Sequence, residues 1–225
     1  DQEIICYHIY YLQRGNRMNQ DLQATAKIMS QPGKGILAAD ESTSTIGKRF
    51  AAIDVESTEE TRRQYRELLV TTPGIDQFLH GVIMFEETLM QSTADGKRFT
   101  DVLLEQGILP GIKVDKGAKL LSGSDKEKVT EGLDGLRVRM EEYYKLGARF
   151  AKWRAVYSIS SKHPSEQCIK SNAHALARYA ALVQECNMVP IVEPEVLMDG
   201  DHSADDCLIK TSEVIQKCFE ELLIH

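Results

Sequence analysis

The stretch "FAKWR", residues 150–154, is apolar enough for a buried strand yet carries two cations. Strand side chains alternate between faces, so Phe150, Lys152 and Arg154 share one side while Ala151 and Trp153 share the other. Two cations on one side of a buried strand need partners. Working outward, "RFAKWRAV" (149–156) is the fourth of five short runs that read as buried strands. The others are "GILAAD" (35–40), "GVIMFEE" (81–87), "GIKVDKG" (111–117) and "MVPIVEPE" (188–195). Each is apolar or β-branched, and most start beside Gly or Pro.

Helical patterns lie between them. In "EGLDGLRVRMEEYYKLG" (131–147), Leu133, Leu136, Met140 and Tyr143 fall on one face, and Gly147 fits a C-terminal cap. "SEQCIKSNAHALARYAALVQECN" (165–187) repeats the pattern with Ile169, Ala173, Leu176, Ala180 and Val183. The next helix is expected to start at Ser203, with Asp206 three residues on, an acidic first turn that suits the helix dipole. Alternating strands and helices, without consecutive hairpins, predict an α/β fold with a parallel sheet and helical crossovers. No G-x-G-x-x-G loop follows the first strand, so a doubly wound nucleotide-binding sheet is disfavoured and a (β/α)8 barrel preferred. A complete barrel needs about 250 residues and eight strands. The expectation is therefore an incomplete TIM barrel with about five of eight strands, in a single domain spanning 1–225.

The same period-two rule brings charge together. Ala38 and Asp40 share a face, as do Lys113 and Asp115, Lys152 and Arg154, and Ile191, Glu193 and Glu195. In a barrel the C-terminal strand ends form the active-site mouth. A single charged residue at a strand end is usually a solvated rim residue. Seven from four strands make sense as a mutually paired set, because an unpaired buried ion costs several kcal/mol. Such sets are what acid/base catalysis requires. Four acids face three bases, leaving room for one more cation. Trp153 is assigned to core packing. After the first strand, "ESTSTIGKR" (41–49) offers Ser42, Ser44 and Thr45 with Lys48 and Arg49, suited to a phosphate. A Ser/Thr-rich loop before a helix equally serves as an N-cap.

The bulk numbers limit the alternatives. The 225 residues include 34 acids and 27 bases, a net charge of −7. This argues against a nucleic-acid or anionic-membrane partner. Five scattered cysteines without a C-x-x-C pair read as reduced thiols of a cytoplasmic protein. The apolar patch "IICYHIYYL" (4–12) is too short for a bilayer span and lacks the basic start of a signal peptide. A first residue of Asp rather than Met suggests a piece of something longer. The six histidines form no H-E-x-x-H and no close pair, and the acid-rich "DGDHSADD" (199–206) reads as a turn and helix cap rather than a metal site.

"GKGILAADEST" (33–43), "GIKVDKG" (111–117), "EGLDGL" (131–136), "GARFAKWR" (147–154), "NAHALARYA" (172–180) and "VPIVEPEVLMDGDH" (189–202) closely resemble class I fructose-bisphosphate aldolase, over roughly residues 24–225. Residues 1–23 depart from that pattern. The resemblance implies a cytoplasmic glycolytic lyase that needs no metal or other cofactor, works through a Schiff base, cleaves a sugar bisphosphate and assembles as a homotetramer. It implies catalytic roles for Asp40, Lys152, Glu193 and Glu195. Substrate phosphate contacts are implied for Ser42, Thr45, Lys113, Arg49 and Arg154, with Thr45 standing where serine is common. The family's Schiff-base lysine lies in a "LLKPNMV"-like strand that the quoted motifs do not include, so no lysine here takes that role. The isolated chain is expected to be inactive. The alternatives are a non-catalytic, truncated aldolase acting as a binding or co-assembly partner, or a transaldolase-like Schiff-base enzyme. The "EPE" segment and the phosphate-type loop disfavour the last.

Overall fold

The computed structural model describes residues 20–225; the apolar patch at 4–12 and most of the atypical stretch 1–23 lie outside them. Helix α1 (Gln20–Met29) leads into β1 (Gly35–Ala39), α2 (Thr43–Ala51) and α3 (Glu59–Val70). Strand β2 (Leu79–Met84) is followed by the short α4 (Glu86–Leu89) and α5 (Phe99–Glu105), and then by β3 (Leu109–Lys113). A hairpin of β4 (Ala118–Leu120) and β5 (Lys128–Thr130) precedes α6 (Leu136–Lys145) and β6 (Phe150–Tyr157). Helix α7 (Glu166–Glu185), β7 (Val189–Val196) and α8 (Ala204–Ile224) complete the described chain. The main sheet runs β1-β2-β3-β6-β7. Its order follows the chain, as crossover connections in one direction require.

The chain divides into two compact units. Among the described residues, the first comprises those up to Lys113, together with Glu141–Ala151 and Asn187–Val189. Here β1 and β2 pair in parallel (Leu37 opposite Val82), and β2 and β3 do the same (Met84 opposite Ile112). The sheet continues through Arg149 N–H to the Pro110 carbonyl (2.8 Å) and Val189 N–H to the Arg149 carbonyl (3.0 Å). Phe150 is fully buried, and its ring fills the space left by two glycines. A Cβ at Gly81 would stand 2.8 Å from that ring, and one at Gly111 would collide with it. Helix α6 ends as Gly147 predicts: at φ +108°, its N–H bonds the Tyr144 carbonyl, and Ala148 N–H bonds that of Tyr143.

The second unit comprises Val114–Met140, Lys152–Cys186 and Pro190–His225. Val114 N–H bonds the Lys152 carbonyl (3.0 Å) and Leu197 N–H bonds that of Tyr157 (2.8 Å). On both flanks of β6 the partner numbers rise together, so the pairings are parallel. Ile169, Ala173, Leu176, Ala180 and Val183 of α7 are all buried, as the apolar stripe predicts. Ser203 and Asp206 form a reciprocal capping box at the start of α8, confirming the cap reading of the acid-rich run.

Three expectations need correction. Glu86 and Glu87 belong to α4, not to the second strand. Helix α6 starts at Leu136, because Gly132 (φ +134°) and Gly135 (φ +66°) break the expected first turn and leave Leu133 outside it. The antiparallel β4–β5 hairpin (Lys119 opposite Val129) was not expected; its strands are short and largely exposed, so no apolar run marks them.

Candidate active site

In the second unit, β6 and β7 carry a connected set of charges. Lys152 Nζ lies 3.4 Å from Glu193 Oε2, and Arg154 Nε lies 3.8 Å from Glu193 Oε1 while donating to Glu195. The alternation read from "FAKWR" and "VEPE" therefore gives real pairs. Exposure is uneven: the Lys152 side chain is 10% exposed, whereas Glu193, Arg154 and Glu195 are 33%, 41% and 38% exposed. The ammonium is embedded and its carboxylate partner is reachable. The hydrogen bond to Glu195 raises the Arg154 pKa further above its ordinary value, against the opposing effect of burial.

Asp115 lies just beyond β3 rather than in it. Its two oxygens accept from Gly117 N–H (3.0 Å) and Arg154 N–H (3.4 Å), so it fastens a loop to the β6 backbone. Trp153, on the opposite face from Lys152, is fully buried with its ring centroid 5.4 Å from that of Tyr179. The Tyr179 hydroxyl donates to the Ile191 carbonyl of β7 (3.2 Å), so α7 backs both charged strands. Sequence reasoning missed other positioning residues. Buried Asn172 accepts from Thr130 N–H (3.0 Å) and donates to the Lys128 carbonyl (2.9 Å). Thr130 Oγ1 in turn donates to the Arg154 carbonyl (2.8 Å). Arg139 grips the carbonyls of Val114 (2.9 Å) and Gly132 (2.6 Å). An asparagine inside the alanine-rich "NAHALARYA" was the available signal, since a polar residue on an apolar helix face needs partners.

The remaining expected site residues lie in the first unit. Asp40 is buried immediately after β1, and Lys113 is the half-buried last residue of β3. Ser42 is the N-cap of α2, accepting from Thr45 N–H (3.4 Å), and its Oγ lies 3.0 Å from the hydroxyls of both Ser44 and Thr45. The loop thus forms the N-cap and gathers three hydroxyls at a helix N-terminus, where backbone N–H groups favour an anion. Arg49 is ion-paired with Glu41, whose other oxygen takes Arg66 at 2.5 Å. Burial works to raise the Glu41 carboxyl, but the Arg66 hydrogen bond, a backbone bond and both arginine charges outweigh it and hold the pKa below its ordinary 4.5.

The four described cysteines are free thiols. Burial pushes Cys168 up to about 11 and Cys218 up to about 12, which keeps both protonated. No helix among the described residues is long and apolar enough to cross a membrane. His174 and His225, 51 positions apart in the sequence, meet with ring centroids 4.9 Å apart.

A family model described as fructose-bisphosphate aldolase class-I matches residues 21–225. The chain belongs to the class-I fructose-bisphosphate aldolase family. The match starts three residues before the point at which the motif resemblance begins. The chain is 58% identical over 203 residues to a probable class 1 fructose-bisphosphate aldolase of Xanthomonas campestris, covering 90% of this chain and 61% of that protein. It is 56% identical to a cytosolic fructose-bisphosphate aldolase of Arabidopsis thaliana over 91% of this chain and 52% of that one. A fructose-bisphosphate aldolase of Plasmodium falciparum, solved in complex with TRAP and a small-molecule inhibitor, superposes with a TM-score of 0.88 at 49% identity. That comparison covers 91% of this chain and 59% of the solved one. The fold class is thus the expected α/β architecture, five parallel strands of an incomplete (β/α)8 barrel. The chain spans about 61% of the length of the bacterial relative.

Proposed function

We propose that this aldolase-family chain carries the acid/base and six-phosphate residues of a class I lyase that cleaves fructose 1,6-bisphosphate to dihydroxyacetone phosphate and glyceraldehyde 3-phosphate. The reading includes a glycolytic role, a cytoplasmic location and a homotetramer, and it uses Schiff-base chemistry without metal. The observation that carries it is the Lys152–Glu193 pair at 3.4 Å, an embedded cation beside a reachable carboxylate. Glu193 relays the protons that turn a carbinolamine into an imine with loss of water. Lys152 balances its charge and, as a fixed cation, favours the neutral, nucleophilic form of a neighbouring amine. Arg154 and Glu195 brace that pair. When the C3–C4 bond breaks, its electron pair flows into the imine and Asp40 takes the C4-hydroxyl proton, releasing the aldehyde. Ser42, Thr45 and Lys113 hold the six-phosphate, with Arg49 and Arg154 nearby. The family's nucleophilic lysine has no counterpart among the matched motifs.

A chimera tests this, with residues 21–225 of this chain replacing the matching stretch of the Xanthomonas relative. It is expected to cleave the bisphosphate, and Lys152→Ala or Glu193→Gln to lower kcat by roughly 10²–10⁴-fold. A folded but inactive chimera, or an unaffected Lys152→Ala, overturns the proposal. Borohydride trapping on the 225-residue chain itself is expected to give no lysine adduct.

A second reading, co-assembly without catalysis, draws on the apolar residues exposed on α8: Leu208 at 66%, Ile209 at 63% and Ile224 at 73%. Light scattering separates the two, since a stable monomer with protected amides argues against co-assembly.

A further inference from the structure

We propose that His174, Glu221 and His225 form a binding site for a divalent transition-metal ion of the zinc class, linking α7 to α8. His174 lies on α7; Glu221 lies in the last turn of α8, and His225 follows one turn later. The His225 N–H bonds the Glu221 carbonyl (3.2 Å), so helical geometry extends through it and both side chains share one face. His174 Nδ1 is 3.2 Å from Glu221 Oε2 and 3.3 Å from His225 Nε2, and the three potential ligand atoms lie within 4.8 Å of one another. Zinc–ligand bonds of about 2.0–2.1 Å in a tetrahedron put neighbouring ligand atoms about 3.3 Å apart. Two edges of the triangle already have that length, and rotation of the Glu221 carboxylate can close the third.

Hydrogen bonding alone satisfies this arrangement poorly. A neutral imidazole nitrogen either donates or accepts, yet His174 Nδ1 faces a carboxylate oxygen and a second ring nitrogen at once. If Nδ1 carries the proton and gives it to Glu221, His225 Nε2 is left a poor second acceptor. If Nδ1 is bare, Glu221 receives no donor from it. An ion accepts a lone pair from all three. Two imidazoles and a carboxylate are a donor set for zinc, nickel or copper rather than calcium or magnesium. The His174 side chain is 49% exposed and that of Glu221 17%, which leaves a route in and room for a water as fourth ligand. The site joins two packed helices and shares no residue with the Lys152 cluster, so its role is to clip them together.

Zinc titration of the full chain against a chromophoric chelator tests the proposal, with thermal melts alongside. The wild type and Cys207→Ser, the latter a control for thiol binding, are expected to take one ion per chain and to melt higher with zinc. His174→Ala and His225→Ala are expected to bind roughly tenfold or more weakly and to lose the thermal shift. His174→Gln serves if the alanine variant does not fold. Absence of saturable binding to the wild type, or equal affinity in the histidine variants, overturns the proposal. So does loss of binding in Cys207→Ser alone.

Discussion

Two charged clusters follow parallel strands in this chain, and they are built differently. After β1, Glu41 takes Arg66 and Arg49, with the Glu41 side chain 13% exposed and that of Arg66 4%. At β6 and β7, a lysine is embedded and the carboxylates around it are a third or more exposed. An arginine cannot lose its proton under working conditions, so Arg66 stays charged and its buried pair with Glu41 acts as a fastener. The second cluster instead holds its embedded lysine against carboxylates that solvent can reach. Charge at a strand end is thus a shared pattern; the exposure of the anion separates a buried fastener from a set open to solvent.

That contrast can be broken most forcefully at its support. Trp153→Ala removes the fully buried ring behind the Lys152 face and is expected to cost about 3–5 kcal/mol in urea unfolding. Glu41→Gln leaves Arg66 buried without its charged partner and is expected to cost about 3 kcal/mol, whereas Glu195→Gln, in an exposed pair, costs under about 1 kcal/mol. Equal losses in the two variants would erase the distinction.

The acid response sharpens it. Glu41 has a folded-state pKa below 4.5, so its contribution is fully present above that pH and is lost as pH falls through the depressed value. The stability gap between wild type and Glu41→Gln is expected to be flat above about pH 5 and to shrink below 4.5, read from urea midpoints across pH. Close to the small Glu195→Gln effect is Ser42→Ala, which removes the α2 cap and is expected to cost about 1 kcal/mol in the same urea unfolding.

Much of this was legible because one period governs it. Alternation in "FAKWR" and "VEPE" put Lys152, Arg154, Glu193 and Glu195 on facing positions, and the 3.6-residue stripe of α7 gave its buried face. The illegible parts depend on backbone and distance. Gly132 and Gly135 decide where α6 starts, but their positive φ values come from the loop they serve. His174 and His225 are far apart in sequence and meet only because α7 packs against α8. Asp115 reads as one more rim charge until its two backbone donors are seen.

The Phe150 ring seated over Gly81 and Gly111 has an evolutionary corollary. The three positions constitute one heritable unit: a methyl group at 111 is admissible only in a lineage that has first shrunk the aromatic. Descendants should therefore exchange these residues in concert, and the order of the exchanges is dictated by which intermediate still closes the sheet.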